Sequence, residues 1–227
     1  MTEYQGVDNL EQMATAVNYN EHLLDSLMAA ASGGQQAVDF GAGTGFFAGN
    51  LQSLDWQVTC VETDASLRKM ITEQGIEAIP ATTELADASQ PFVYSLNVLE
   101  HIEDDRAALK ELFRILQPGG RLYIYVPAMN VLFSSMDRKV GHFRRYSRHD
   151  LVSLVEAVGF DCSKAEYVDS LGFFATLVYK WLGSNTGDLN GPLLRLYDCY
   201  IFPLSRCMDL LCHRWFGKNL SLVALKR

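Results

Sequence analysis

Residues 38–47 read Val-Asp-Phe-Gly-Ala-Gly-Thr-Gly-Phe-Phe. The stretch combines a short apolar run that includes an acid with glycines at alternate positions, Gly41, Gly43 and Gly45. Glycine reaches positive φ at little cost, and its backbone stays open to a ligand because no side chain covers it. The pattern therefore predicts a β-strand that turns tightly into a helix beside a bound ligand.

Spacing and charge distinguish two classes of ligand that use such a loop. A dinucleotide fingerprint, Gly-x-Gly-x-x-Gly or Ala, needs a small residue at the position that Phe46 occupies. The carboxylate of Asp39 would repel a pyrophosphate, whereas it suits a positively charged ligand such as S-adenosylmethionine (SAM), which carries an ammonium and a sulfonium. A second predicted strand, 57–61, leads into Glu62, about 20 residues past the loop, where an acid can accept both ribose hydroxyls of either ligand.

Three further motifs follow the glycine loop along the chain. They are Val-Glu-Thr-Asp at 61–64, Asn-Val-Leu-Glu-His at 97–101 and Leu-Gln-Pro-Gly-Gly-Arg-Leu at 116–122. Together with Asp-Phe-Gly-Ala-Gly-Thr-Gly at 39–45, they resemble the class I SAM-dependent methyltransferases, and the resemblance covers most of the chain. The resemblance implies SAM as methyl donor, S-adenosylhomocysteine as product, and a cofactor site formed by Asp39, Gly41, Gly43, Gly45, Glu62, Thr63, Leu96 and Asn97.

Predicted strands alternate with predicted helices along the chain. Apolar runs predict strands at 37–40, 57–61, 76–80, 92–96, 121–126, 161–168 and 220–226, and helical periodicity predicts helices at 10–31, 106–116 and 148–158. This alternation indicates an α/β fold with a doubly wound, mostly parallel sheet that binds ligands beyond the carboxyl ends of its strands. The resemblance implies the Rossmann-like sheet of class I methyltransferases with a final antiparallel strand, in one domain over 1–227.

The amino-acid composition favours some classes of protein over others. A chain of 227 residues with 48% hydrophobic residues can form a sizeable core, and its formal charge of −8 argues against a nucleic-acid partner, which would require clustered Lys and Arg. The five cysteines are odd in number and lack a Cys-x-x-Cys pair, which favours reduced thiols and a cytoplasmic location. We expect neither a secretory signal nor a membrane-spanning helix, because the N-terminal residues are polar and no apolar run reaches about 18 residues.

His101 and His142 are the candidate catalytic residues. Imidazole titrates near neutral pH and can take a proton from an acceptor hydroxyl. A base is needed only where the acceptor must lose a proton, since positioning of the nucleophile supplies most of the rate of methyl transfer. A structural role remains the alternative for His101. Glu100 is predicted to cap the next helix, with orientation of the His101 tautomer as the alternative.

The segment 136–147 is rich in His, Arg and Tyr. Its Gly-His-Phe-Arg-Arg-Tyr resembles a Gly-His-x-Arg-Arg-Tyr block of a bacterial subgroup of these enzymes. We expect this loop to close over the acceptor, with Arg144, Arg145 and Tyr146 as substrate-binding residues and an arginine on an anionic group of the acceptor. The alternative is that the arginines pair with acids such as Asp137.

A helical insertion is predicted at 169–218, before the last strand. It is apolar and aromatic, with two helices, the second kinked at Pro203, and a surface loop at 183–191. Its basic residues contrast with the acidic whole. Four interpretations stay open: packing on the sheet, an apolar acceptor pocket, a dimer face, and peripheral contact with a membrane through the C-terminal helices.

These observations favour a SAM-dependent methyltransferase that acts on a small-molecule or lipid-like acceptor, with oxygen as the methylated atom. A SAM-binding protein without catalysis and an NAD-binding oxidoreductase are the alternatives, the second opposed by Phe46 and Asp39. No metal site is predicted, because the five histidines are scattered along the chain. The sequence does not predict the oligomeric state.

Overall fold

The computed structural model describes residues 12–182 and 191–227. The elements of the described residues are α1 (Val17–Ala31), β1 (Gln36–Phe40), α2 (Phe46–Gln52), β2 (Gln57–Val61), α3 (Ala65–Glu73), β3 (Glu77–Ile79), β4 (Gln90–Leu96), α4 (Asp105–Ile115), β5 (Leu116–Pro127), α5 (Ser135–Lys139), α6 (Arg148–Glu156), β6 (Phe160–Val168), α7 (Ser170–Leu182), α8 (Gly191–Leu196), a π-helical segment (Tyr197–Ile201), α9 (Phe202–Cys212) and β7 (Asn219–Lys226).

The strands form one seven-stranded sheet in the order β3-β2-β1-β4-β5-β7-β6. β1 pairs in parallel with β2 on one side and with β4 on the other, so the strand order reverses at this point. Ligands of doubly wound sheets bind at such a reversal, beyond the carboxyl ends of the strands. β7 runs antiparallel to both β5 and β6. The predicted α/β architecture with a final antiparallel strand is therefore confirmed.

The core lies on both faces of the sheet, and β5 shows how the sequence divides between them. Side chains of a strand alternate between faces, so Leu122 and Ile124 pack into one cluster and Tyr123 and Tyr125 into the other. The first cluster includes buried residues of α4 and α6, and the second includes buried residues of α1, α2 and α3. Helices thus cover both faces, as a parallel sheet requires.

Two predicted boundaries differ from the structure by more than two residues. β5 begins at Leu116 rather than at 121, because the Pro118-Gly119-Gly120 stretch continues the strand as an irregular segment. Gly119 has a φ of +79°, and the pairing register of β4 with β5 shifts between Gln90 and Phe92. The predicted helix at 10–31 is interrupted at 15–16, with α1 following from Val17, and residues 10–11 lie outside the described chain.

Most of the described residues between β6 and β7 are helical, as predicted. Pro203 lies in the first turn of α9, directly after the π-helical segment. A proline has no N–H to donate, and its ring excludes a regular bond to the preceding turn, so the wider π-helical segment at this place has a physical cause. The loop predicted at 183–191 falls almost wholly outside the described residues. Among the described helices, none has the length and hydropathy needed to span a membrane.

Candidate functional site

The glycine loop connects the end of β1 to α2. Gly41, Gly43 and Gly45 all have positive φ, at +79°, +56° and +78°. The amide of Gly41 donates to the carbonyl of Val61 at 2.8 Å, which holds the loop against the end of β2. A Cβ on Gly41 would lie 2.5 Å from a methyl carbon of Val98, so this glycine is required for close packing as well as for φ.

Glu62 links the end of β2 to the loop. Its Oε2 accepts a hydrogen bond from the Gly43 amide at 2.8 Å, and its Oε1 accepts one from the Asp64 amide at 2.9 Å. Asp64 in turn caps α3 by accepting from the amides of Ser66 and Leu67. The intervening Thr63 is exposed. Glu62 is therefore held at the rim of the glycine loop with lone pairs left on both oxygens.

Asp39, on β1, supplies negative charge beneath the loop. Its side chain is almost fully buried, and burial raises the pKa of this carboxyl to about 7, with a further increase from the negative charge of Glu62. A buried acid with a raised pKa is stabilised by a nearby cation. An open glycine cradle, an acid at its rim and a second acid below it together fit a ligand with a ribose and a positively charged end, and SAM has both.

The segment after β4 closes the other side of this region. Leu96 is half-buried, whereas Asn97 is exposed and has a φ of +55°. The Asn97 amide donates to the carbonyl of Tyr125 at 2.7 Å, which ties the end of β4 to β5. Val98 then packs on Gly41. Leu96 and Asn97 thus lie at the carboxyl end of β4, directly before the residue that contacts Gly41.

The structure brings the two candidate catalytic histidines together, although they are far apart in sequence. The rings of His101 and His142 pack edge to face with their centroids 4.6 Å apart. His142 Nδ1 is 2.8 Å from Asp137 Oδ1, and His142 Nε2 is 3.8 Å from Glu100 Oε1. Because an ionised carboxylate only accepts hydrogen bonds, Asp137 orients His142 with its Nδ1 protonated and its Nε2 available.

The ionisation of this cluster is set by burial. Burial lowers the pKa of His101 to about 4, with His142 acting in the same direction, so His101 is neutral at physiological pH. Burial raises the pKa of Glu100 to about 8. Glu100 does not cap the next helix as predicted, because Asp104 does so by accepting from the Ala107 amide. The carboxylate of Glu100 instead faces His142.

The residues predicted to bind substrate have partners within the protein. Arg144 donates to Asp105 Oδ2 at 2.6 Å, and the Tyr146 hydroxyl donates to the same oxygen at 2.8 Å. Arg145 is buried and donates through Nε and Nη2 to the two oxygens of Asp137. These contacts match the alternative in which the arginines pair with acids. They fix the 142–146 loop over the segment that follows β4.

Residues 38–124 match the family model described as "Methyltransferase domain". A Mycolicibacterium smegmatis protein described as a probable S-adenosylmethionine-dependent methyltransferase is 32% identical over 96 residues, which are 41% of this chain and 35% of that protein. A ubiquinone biosynthesis O-methyltransferase of Xanthomonas oryzae pv. oryzae is 28% identical over 101 residues, 40% of this chain and 42% of that protein. The chain spans less than half the length of either curated relative.

A solved structure extends the comparison to nearly the whole chain. The SAM-dependent methyltransferase of Archaeoglobus fulgidus superposes with a TM-score of 0.62 and 17% identity, covering 91% of this chain and 94% of the other. The fold is that of the class I methyltransferases. The superposition shows a shared fold, and the family model matches the part of the chain from β1 to β5.

The structure brings together polar residues that are far apart in the sequence. The histidines are scattered along the chain, and no metal site was predicted from them; in the structure Glu100, His101 and His142 each place a ligand atom within 4.8 Å of the others. The sequence suggested Asp137 only as an ion-pair partner of the arginines in segment 136–147. The order of the motifs along the chain could have indicated this cluster, because the segments that follow adjacent parallel strands meet at one edge of the sheet.

Proposed function

We propose that this protein transfers a methyl group from SAM to a small-molecule or lipid-like acceptor, at oxygen. The observation that carries the proposal is the glycine loop, joined to Glu62 through the Gly43 amide at the point where the strand order reverses. Glu62 is suited to hold the ribose, and Asp39 to face the positive end of the cofactor. When bound, SAM supplies an electrophilic methyl group whose loss leaves S-adenosylhomocysteine.

The acceptor is proposed to bind beside the histidine cluster. His101 follows Val98, which contacts the glycine loop, so a nucleophile near the two imidazoles would lie close to the cofactor. His142, oriented by Asp137, can take a proton from an acceptor hydroxyl through Nε2. The similarity to an O-methyltransferase of ubiquinone biosynthesis supports oxygen as the methylated atom.

We assign Arg144, Arg145 and Tyr146 to the same acceptor region and to the bacterial subgroup with a Gly-His-x-Arg-Arg-Tyr block. Their contacts with Asp105 and Asp137 suit residues that hold the loop in place, and the half-buried Arg144 keeps part of its guanidinium accessible. A lipid-like acceptor is favoured by the apolar helices between β6 and β7. We propose no nucleic-acid partner, in view of the charge of −8, and a cytoplasmic location in view of the cysteine content.

The test is a transfer assay with the whole chain. The protein is incubated with ¹³C-methyl SAM and an extract of its host, and the small-molecule, lipid and macromolecular fractions are separated. We expect label in one of the first two, and the carbon shift of the new methyl group distinguishes oxygen from nitrogen or sulfur.

Two other outcomes would replace the proposal. Binding of SAM without transfer to any fraction would indicate a SAM-binding protein without catalysis. Binding of NADH in place of SAM would indicate an oxidoreductase. A Glu62→Gln variant serves as the control, because it removes one of the carboxylate oxygens that would receive ribose hydroxyls and should weaken SAM binding about tenfold.

A further inference from the structure

Glu100 is a buried acid close to two histidines. Its side chain is fully buried, and neither carboxylate oxygen has a hydrogen-bond partner among the described residues. A carboxylate in such a place costs several kcal/mol unless it is protonated or faces a positive charge. Arg145 lies near Glu100, but its Nε and Nη2 donate to Asp137. Both oxygens of Glu100 therefore keep lone pairs that no described residue engages, and a bound cation would stabilise the ionised form.

The neighbours of Glu100 are two imidazoles rather than other acids. One ligand atom each from Glu100, His101 and His142 lies within 4.8 Å of the other two. An ion bound at about 2.1 Å from each atom in tetrahedral geometry would bring these atoms about 3.4 Å apart. The Glu100 Oε1 to His142 Nε2 distance is already 3.8 Å. Small side-chain movements would complete the site.

The surrounding contacts orient both rings. Asp137 Oδ1 lies 2.8 Å from His142 Nδ1, which directs Nε2 toward Glu100. Backbone carbonyls of Val140 and Gly141 hydrogen bond with the ring of His101. A carboxylate or carbonyl behind each ligand histidine is the usual outer arrangement of metal sites, where it fixes the tautomer and the ring orientation.

We propose that Glu100, His101 and His142 bind a divalent transition-metal ion at the edge of the acceptor region. Two imidazoles and one carboxylate suit Zn²⁺, Mn²⁺ or Fe²⁺ better than Mg²⁺ or Ca²⁺, which prefer oxygen ligands. Three protein ligands leave coordination positions open, as in catalytic rather than structural metal sites.

The consequence for the reaction rests on the proposed function. An acceptor hydroxyl that coordinates to the ion would lose its proton more readily, and the proton would pass to solvent. The histidines would then act as ligands and not as bases. The site would select acceptors whose oxygen can reach the ion, such as a phenol or an alcohol, over acceptors that methylate at an aliphatic amine.

The experiment measures metal binding directly, without SAM or acceptor. Tag-free protein is stripped with a chelator and titrated with Co²⁺, Zn²⁺, Mn²⁺ and Mg²⁺, following the visible Co²⁺ spectrum and the heat of binding. We expect one equivalent of Zn²⁺, with Mg²⁺ bound at least about 100-fold more weakly, and a Co²⁺ spectrum that shows imidazole ligands. Glu100→Gln and His142→Gln should each weaken Zn²⁺ binding by about 10- to 100-fold.

His149→Gln is the matched control, because this histidine is highly exposed and lies outside the cluster. It should bind Zn²⁺ as the wild type does. Equal affinity of Glu100→Gln and wild type, or a wild type that binds no ion, would overturn the metal site. Folding of each variant is checked by circular dichroism, and the spectrum of the wild type tests the ligands even if a variant unfolds.

The same experiment separates this inference from the proposed function. Methyl transfer that survives complete removal of metal would overturn the role of the ion and leave the methyltransferase intact. Tight metal binding in a protein that transfers no methyl group would overturn the methyltransferase and leave the metal site intact.

Discussion

At the scale of single residues, Gly41 in the loop after β1 and Gly33 in the turn before β1 differ in what a side chain would meet. A Cβ at Gly41 would approach Val98 to 2.5 Å, whereas a Cβ at Gly33 would meet no atom within 4 Å. Both residues have positive φ, at +79° and +90°. The two positions therefore separate the cost of backbone conformation from the cost of a steric clash.

Gly41→Ala should weaken SAM binding by at least about tenfold and lower the free energy of unfolding by about 2–4 kcal/mol, because strain and overpacking add. Gly33→Ala should cost about 1 kcal/mol and leave SAM affinity unchanged. Calorimetric titration with SAM and urea unfolding measure both quantities. Equal SAM affinity in Gly41→Ala and wild type would contradict the assignment of the loop as the cofactor cradle.

The raised pKa of Asp39 predicts how SAM binding depends on pH. Burial raises the pKa of this carboxyl to about 7. Since the raised pKa favours the neutral form in the folded protein, ionisation of Asp39 destabilises the ligand-free fold as the pH rises from about 4 through 7. A cationic ligand favours the ionised form, so SAM affinity should increase about tenfold between pH 6 and pH 8.

Asp39→Asn supplies the comparison for this pH dependence. Titration of the ligand itself affects the variant and the wild type equally. A difference between their two pH profiles is therefore caused by the ionisation of Asp39. We expect a flatter profile and weaker binding at pH 8 in the variant. Parallel profiles of the two proteins, measured by calorimetry from pH 6 to 8, would show that Asp39 does not face the charged part of SAM.

At the scale of elements, buried carboxylates join the helices after β6 to the rest of the fold. Asp198, in the π-helical segment, accepts hydrogen bonds from the amides of Asn18 and Tyr19 in the first turn of α1. α1 has no side-chain cap of its own at Ala16. Asp169 accepts from the Gly172 amide and from the Ser205 hydroxyl, which ties α7 to α9.

Asp198→Ala should lower the free energy of unfolding by about 2–3 kcal/mol, because it removes a charged acceptor from two amides at a helix N-terminus. Asp161→Ala, which removes an exposed ion pair with Arg227, should cost at most about 1 kcal/mol. Urea unfolding of both variants gives the comparison. If the two losses were alike, Asp198 would not anchor α1.

The sequence predicted local elements better than contacts between them. Apolar runs identified the strands, and glycine chemistry identified the loop at Gly41, because both signals lie within a few neighbouring residues. The Asp198 cap and the cluster of Glu100 with His142 join residues far apart in the chain, and no local pattern indicates either contact. The irregular Pro118-Gly119-Gly120 stretch lies between the paired Leu116 and Arg121, so the strand predicted to begin at 121 begins at Leu116 in the structure.

At the scale of the whole molecule, the helices between β6 and β7 leave an unusually apolar surface. Large side chains there are highly exposed, including Trp181 at 79%, Leu210 at 78%, Leu211 at 75% and Trp215 at 69%. α7 and α9 pack against each other, and the exposed apolar residues lie in these two helices and in the turn that follows α9. The basic Arg206 and Arg214 are exposed in α9 and in the same turn. Apolar surface flanked by positive charge fits the headgroup region of an anionic membrane, with a second copy of the chain as the alternative occupant.

The whole chain should therefore sediment with vesicles that contain anionic lipid, and less so as salt screens the arginines. Leu210→Ser with Leu211→Ser should weaken this partitioning by at least about tenfold, because each buried leucine contributes about 1.5–3 kcal/mol. Leu54→Ser is the control, since Leu54 is 44% exposed in the turn between α2 and β2, outside these helices. A wild type that stays in the supernatant at every lipid concentration would contradict membrane contact. If light scattering then showed a dimer that Leu210→Ser with Leu211→Ser dissociates, the same surface would be assigned to a second copy of the chain.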